Sequence, residues 1–329
     1  MSKQILVFVL GAMLLALSIP AQAQQPKVYR VGVLGAPGRQ EGLPSFKGFR
    51  DGMREAGYIE SKNLQLNISN VKTYDELRPI AKDYVGKRVD AIVTTSGTAT
   101  LIARDAAKDI PIIFISGVGD PVAAGLVKSL ARPEANITGL TTEAGDQMYG
   151  KRLELFKETV PSLRRVALLY NARGENPGHA IRRDLIREIA PKLGLKLNEK
   201  LAKSVADIDD ALRTVSKQNA DGIFVICSGL FADRAIKINE VAIQKKLPAY
   251  ECDTAERSPD KLLFYDPDKY STGHRGAWYV DKVLKGTKPS ELPVEQPMKF
   301  EFVINLKTAK QIGVTIPPEV LARANRLIK

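Results

Sequence analysis

Short apolar runs alternate with longer amphipathic segments along most of this 329-residue chain. The apolar runs lie at 31–34, 91–93, 112–115, 166–170 and 223–226. Between them, apolar residues recur at helical spacing, as Phe46, Phe49 and Met53 do. Strands that are separated by helices predict βαβ units and parallel sheets. The fold class is therefore predicted to be α/β.

Two strand-like segments, at 64–68 and 195–197, alternate apolar with polar residues instead of running continuously apolar. Continuous runs suit strands that are buried on both faces, whereas alternation suits a strand with one wetter face. In each half of the chain the alternating strand comes second. A flavodoxin-like strand order places the second strand at a sheet edge. We therefore predict two doubly wound parallel-sheet lobes, one beginning near Val31 and the other near Val166.

The N-terminus has the layout of a secretory signal peptide. Lys3 precedes an apolar run from Ile5 to Ile19, and Pro-Ala-Gln-Ala follows at 20–23. The run of 15 residues is shorter than the roughly 20 that a membrane-spanning helix needs. A charged start, an apolar segment and an A-x-A site predict cleavage after Ala23. Residues 1–23 are thus expected to be removed, and the mature protein is expected in the periplasm.

Charge and cysteine content exclude several classes of function. The formal charge is +12, but the basic residues are scattered among acidic ones, which favours a solvated basic surface over nucleic-acid binding. Cys227 and Cys252 could form a disulfide in an exporting compartment or remain buried thiols; the sequence leaves both open. His179 and His274 lack metal-ligand spacing. The sequence has no recognisable nucleophile, base and orienting group together, so it predicts neither an enzyme nor a cofactor.

Ligands of open α/β sheets bind beyond the carboxyl ends of the strands. The lobe I loops there are small and polar, and Ser96, Gly97 and Thr98 open a helix whose hydroxyls and backbone N–H groups suit a carboxylate. Ser96 or Thr98 could instead only cap that helix. The full set of predicted ligand-binding residues is Ala36, Ser96, Gly97, Thr98, Ser116, Asn171, Ser228, Asp253, Tyr265 and Asp266. Of these, Tyr265 and Asp266 lie near the expected hinge, where they could stack on a side chain and bind an ammonium group.

Three sequence blocks resemble the tryptophan/tyrosine-type ABC transporter substrate-binding family, which has the type I periplasmic binding protein fold. They begin with Gly-Asp-Pro-Val-Ala-Ala-Gly-Leu-Val at 119–127, with Lys-Arg-Leu-Glu-Leu at 151–155, and with Lys-Phe-Glu-Phe-Val-Ile-Asn-Leu-Lys-Thr-Ala-Lys at 299–310. The last block is the most specific. The sequence departs from the family pattern in the second-lobe loops at 171–176, 227–230 and 251–254. The family's ligand therefore does not transfer directly to this chain.

The resemblance implies two lobes joined by three crossovers and closing on a ligand. Lobe I is then expected at 27–142 plus 263–288, and lobe II at 143–262 plus 298–329. The implied partners are an ABC permease and its ATPase. The protein is expected to be a monomer and to capture an amino acid or an aromatic carboxylate. Alternatives are a ligand sensor that presents its solute to a membrane receptor, and a periplasmic enzyme that uses the same cleft.

Overall fold

A computed structural model describes residues 27–38, 40–142, 145, 147–171, 177–232, 234–251 and 260–329. Its first lobe contains a five-stranded, all-parallel sheet with the order β2-β1-β3-β4-β5. The strands are β1 (Tyr29–Leu34), β2 (Leu64–Ile68), β3 (Ala91–Thr94), β4 (Ile112–Phe114) and β5 (Ile137–Gly139). The helices are α1 (Pro44–Glu55), α2 (Leu77–Gly86) and α3 (Gly97–Ala106), with a short 3-10 turn at Gln40–Gly42.

Successive residues of the central strands point into two different cores, because side chains alternate across a strand. Val31 and Val93 pack with the α1 side of the sheet. Leu34 and Ile92 pack with α2 and α3 on the other side. This is why these strands are continuously apolar, and why β2, at the sheet edge, is not.

Lobe II repeats the arrangement with a four-stranded parallel sheet in the order β7-β6-β8-β9. Its strands are β6 (Arg165–Tyr170), β7 (Lys196–Leu201), β8 (Gly222–Val225) and β9 (Ala249–Tyr250). Its helices are α4 (Met148–Thr159), α5 (Pro177–Lys192), α6 (Val205–Thr214), α7 (Gly229–Ala232) and α8 (Ala235–Gln244). The alternating strand β7 lies at the edge, so the prediction for both second strands is confirmed.

The C-terminal tail divides between the lobes. β10 (Leu263–Pro267) pairs antiparallel with β11 (Phe300–Asn305), and β11 pairs in parallel with β12 (Arg326–Ile328). Leu263 and Ile304 from this small sheet lie in the lobe II core. The remaining elements are α9 (Lys269–Leu284), a 3-10 turn at Pro289–Glu291, α10 (Leu306–Ile312) and α11 (Pro318–Leu321).

Helix α9 packs on lobe I, with Ala277 and Val280 in the core that contains α1. Within the predicted lobe I segment 263–288, β10 thus packs with lobe II, and only the part from α9 onward packs with lobe I. The reason is that β10 pairs with β11 and directs Leu263 into the lobe II core. The exact lobe boundaries stay a prediction.

Backbone contact joins α9 to α1. A Cβ atom added to Gly48 would collide with the carbonyl of Tyr270, and one added to Gly273 would collide with the carbonyl of Ser45. Only glycine allows such close approach. None of the helices in the described ranges is long and apolar enough to cross a membrane.

Candidate functional site

The lobe I mouth consists of the loops that follow β1, β3 and β4, at the carboxyl end of the sheet. The last two loops touch through their backbones: a Cβ on Gly97 would lie 2.8 Å from the Gly117 carbonyl oxygen, and one on Gly117 would collide with the Cα of Ser96. Gly117 also has a φ of +79°, a conformation that residues other than glycine disfavour. The structure therefore brings Ser96 and Gly97 beside the loop that carries Ser116.

Ser96 is the N-cap of α3, and its Oγ accepts the Ala99 N–H at 3.1 Å. Ser96 thus caps this helix, and its predicted contact with a ligand stays a prediction. Thr98 is exposed, and both Gly97 and Ser116 are partly exposed. Because the first turn of a helix has no intrahelical acceptors for its N–H groups, the lobe I mouth offers backbone donors beside hydroxyl groups.

Gln40 joins the loop after β1 to the loop after β3. Its Nε2 donates to the carbonyls of Ala36 and Gly38, and its Oε1 accepts the Thr95 hydroxyl at 2.6 Å. The side chain is buried, with only 2% of the residue exposed. Sequence reasoning missed Gln40 because a polar residue in a polar loop has no distinguishing pattern. The structure makes it the residue that fixes Ala36 relative to Ser96.

The lobe II mouth consists of the first turn of α4 and the loops that follow β6, β8 and β9. Tyr149 lies at its centre, fully buried, and its hydroxyl accepts the Cys227 N–H at 3.2 Å. Asn171 is buried after β6, and Ser228 follows Cys227 after β8. Cys227 forms no disulfide within the described ranges, and Cys252, its predicted partner, lies outside them. Asp253, the third predicted lobe II residue, lies outside the described residues.

Two guanidinium groups flank the ring of Tyr149. The Arg152 and Arg182 Cζ atoms lie 5.1 and 5.0 Å from the ring centroid, and both residues are 5% exposed. Such cation–π contacts are favourable, more so when water is excluded. Buried arginines require compensating partners, and Arg152 has one in Asp266.

Arg152 Nη2 lies 2.8 Å from Asp266 Oδ1, and Arg152 Nε donates to the Tyr265 carbonyl at 3.3 Å. Burial disfavours the charged form of Asp266, but Arg152, with help from Lys261 and Lys269, outweighs it and lowers the pKa of this carboxyl. Asp266 therefore already forms an ion pair with an arginine of the protein. Its predicted contact with a ligand amine stays a prediction.

The ring of Tyr265 is also engaged, stacking on Phe300 at 5.4 Å and meeting the edge of Phe302 at 6.2 Å. On the opposite face of the same strand, Asp266 and Phe264 border a cavity of about 380 Å³ that Pro44 of lobe I also lines. The hinge strand thus separates the lobe II core from an opening beside lobe I.

A second buried charge pair completes the lobe II mouth. Lys261 Nζ lies 3.8 Å from Glu251 Oε1, and both residues are 1% exposed. Lys261 also lies over the rings of Tyr250 and Phe264, at 5.4 and 4.9 Å. Among the described residues, no group of His, Cys, Asp and Glu is suited to holding a metal ion.

Comparisons with known proteins agree on one family. A family model described as ABC transporter substrate binding protein matches residues 33–328. A tyrosine-binding protein from Clostridioides difficile (strain R20291) is 27% identical over 269 residues, which cover 82% of this chain and 76% of that protein.

Two solved structures are similar over most of the chain. A conserved domain protein from Vibrio cholerae O1 biovar El Tor is 29% identical, with a TM-score of 0.77, and the match covers 92% of this chain and all of that one. An ABC domain from Streptococcus pneumoniae in complex with L-Trp is 26% identical, with a TM-score of 0.76 and the same coverage.

Proposed function

This chain belongs to the family of ABC transporter substrate-binding proteins, and from that premise we propose that it captures an amino acid or a related aromatic carboxylate between its lobes and delivers it to an ABC permease. Its two doubly wound lobes have the type I periplasmic binding protein fold that the resemblance implied. Family and relatives are substrate-binding proteins rather than enzymes.

The observation that carries the proposal is the pair of mouths at the carboxyl ends of two parallel sheets. The lobe I mouth supplies backbone N–H groups and hydroxyls that suit a carboxylate. The lobe II mouth supplies buried aromatic rings and charges. The C. difficile relative is a tyrosine-binding protein, and the S. pneumoniae structure is a complex with L-Trp. Both support an amino acid as the ligand class.

In the proposed cycle, the ligand favours the closed arrangement of the lobes and leaves chemically unchanged. A ligand that binds one arrangement more tightly shifts the population toward it. The closed form is then the one that the permease and its ATPase recognise. The protein acts as a monomer in the periplasm after cleavage behind Ala23, which N-terminal sequencing of the periplasmic form would test.

Thermal unfolding of the stripped, mature protein with a library of amino acids, aromatic acids and unrelated solutes tests the proposal. A ligand that binds only the folded state stabilises it by about 2.7 kcal/mol at a hundredfold excess over Kd. We expect a selective shift for amino acids or aromatic carboxylates. A shift confined to sugars or other uncharged solutes would contradict the proposed ligand class.

The predicted contact of the ligand carboxylate with the lobe I mouth has its own test. The Ser96→Ala plus Thr98→Ala double variant removes both hydroxyls from the start of α3 and is expected to weaken ligand binding about tenfold. Ser129→Ala is the control, because Ser129 is a partly exposed residue of the same lobe whose hydroxyl hydrogen-bonds with the backbone of Arg132. Unchanged affinity in the folded double variant would show that these two hydroxyls do not bind the ligand.

A further inference from the structure

Two hydrogen-bond donors in the lobe II mouth have no hydrogen-bond partner among the described residues. Arg152 can donate five hydrogen bonds. Its Nε and Nη2 bond to Tyr265 and Asp266, whereas Nη1 has no hydrogen-bond partner in the part of the chain that the structure describes. The side chain is nevertheless only 6% exposed. A buried guanidinium with an unused nitrogen is costly unless something else binds it.

Ser228 presents the second donor. Its Oγ is buried and finds no hydrogen-bond partner across the described ranges, although the residue as a whole is partly exposed. A serine hydroxyl can rotate about χ1 between staggered positions, so this oxygen can turn toward an incoming group. Most buried polar atoms in folded proteins are satisfied, and this exception lies where a ligand is expected.

The two donors belong to one place. Ser228 directly follows Cys227, whose N–H is bound by the Tyr149 hydroxyl. Arg152 lies against the ring of the same tyrosine. Both donors therefore lie near Tyr149, beyond the carboxyl end of β8. Two neighbouring donors, one of them cationic, match an oxygen acceptor and best a carboxylate.

We propose that Arg152 and Ser228 form an acceptor subsite in lobe II that binds an oxygen-bearing group at the far end of the ligand, most tightly a carboxylate. This inference rests on the proposed function, in which the α-carboxylate is bound by lobe I. The ligand accordingly carries oxygen acceptors at both ends. A purely hydrocarbon side chain would leave both donors unpaired, with the Ser228 hydroxyl buried, and such mismatches discriminate strongly between ligands.

The test uses pairs of amino acids that differ only at the far end: L-phenylalanine against L-tyrosine and para-carboxy-L-phenylalanine, and L-norvaline against L-glutamate. Titration calorimetry of the mature protein measures each Kd. In at least one series the wild type should prefer the acceptor-bearing member by about tenfold or more, the effect of one hydrogen bond to a charged group.

Two variants assign that preference to the subsite. Arg152→Lys keeps the positive charge beside Asp266 but lacks Nη1, and Ser228→Ala removes only the hydroxyl. Each should lower the preference about tenfold. Ser228→Ala should also leave the melting temperature of the ligand-free protein unchanged or raise it, because it removes an unsatisfied polar atom. A serine with a merely structural role would lower it.

Lys151→Met is the matched control. It removes a neighbouring positive charge from the exposed face of the same helix, where Lys151 pairs with Glu154, and it should leave the preference unchanged. If amino acids bind but both members of every pair bind equally, the subsite is refuted and the proposed function stands. If no amino acid or aromatic carboxylate binds the folded protein, the proposed function fails and the subsite fails with it.

Discussion

The mouth of lobe I is held together by backbone contacts and neutral hydrogen bonds, whereas the mouth of lobe II is built around buried charges. In lobe I, Gly97 meets Gly117 and Gln40 binds Thr95. In lobe II, Arg152 pairs with Asp266. Neutral contacts of short range fix a shape but respond little to pH, while buried charges are sensitive to any change that leaves one unpaired. The lobe I mouth therefore supplies a fixed shape, and the lobe II mouth supplies electrostatic selectivity.

The strongest challenge to the neutral mouth is Gly117→Ala. The new Cβ would collide with Ser96 in a backbone conformation that alanine disfavours, so the free energy of unfolding should fall by about 3 kcal/mol. Gly125→Ala is the control, because Gly125 also has a positive φ of +64° but nothing within 4 Å of the added atom; it should cost only about 1 kcal/mol. Equal losses by urea denaturation would show that the contact between the loops contributes nothing.

In the charged mouth, Asp266→Asn leaves the Arg152 guanidinium without its carboxylate. Removing one partner of a buried pair costs about 3–5 kcal/mol, but the Asp266 side chain is 32% exposed. We therefore expect a loss of about 2 kcal/mol. Glu158→Gln, which breaks the exposed pair with Arg323, should cost less than about 0.5 kcal/mol. Similar losses for the two variants would mean that burial gives the Arg152 pair no special weight.

The same variant tests pH dependence. Because the folded protein lowers the pKa of Asp266, this carboxylate stabilises the fold fully above its ordinary pKa of about 3.9. The stabilisation is lost as the pH falls through the lower pKa of the folded state. The difference between wild type and Asp266→Asn should thus stay constant from neutral pH to about pH 5 and shrink in stronger acid. A difference that disappears near neutral pH would contradict this account.

Gln40→Leu should produce a smaller and pH-independent loss. It leaves the Thr95 hydroxyl and the Ala36 carbonyl without their partner, at a cost of about 1.5 kcal/mol. Gln218→Leu, at an exposed position, serves as the control and should change stability by less than about 0.5 kcal/mol. If the loss from Gln40→Leu varied with pH in the manner of Asp266→Asn, the contrast between the two mouths would not hold.

The smallest expected effect separates capping from binding at the start of α3. Ser96→Ala should lower the free energy of unfolding by about 1 kcal/mol through loss of the N-cap. Thr98→Ala, at an exposed position, should change it by less than about 0.5 kcal/mol. Thermal unfolding of the two single variants without ligand measures both. Identical melting temperatures would show that the cap contributes no stability.

The sheets could be predicted because strands buried on both faces are continuously apolar, whereas edge strands alternate apolar and polar residues. The edge positions of β2 and β7 follow from alternating residues, and the face of α1 follows from Phe46, Phe49 and Met53. The partner of β10 could not be predicted, because a short apolar strand fits the edge of either lobe. Only its pairing with β11 decides that Leu263 belongs to the lobe II core.

The lobe I part of the candidate site could be located from strand ends, but the buried charges of lobe II could not be recognised as buried. Charged residues are usually taken as solvated. One signal was available: Arg152 lies between Tyr149, Leu153 and Phe156 on the apolar face of α4. A cation on such a face must find a partner inside the protein or in a ligand. Lys261, which lies just before β10, gave no comparable signal in the sequence.

The close packing of α9 on α1 has a consequence for the order in which the protein can be assembled. The core face formed by Phe46 and Phe49 is completed by Ala277 and Val280, more than two hundred residues later in the chain. The lobe whose synthesis begins first therefore cannot be closed until most of the chain has been made. Until α9 emerges, its apolar face has no cover, and contacts between such distant segments form slowly. A nascent chain of this design should stay susceptible to proteases and chaperones in lobe I after lobe II has begun to fold.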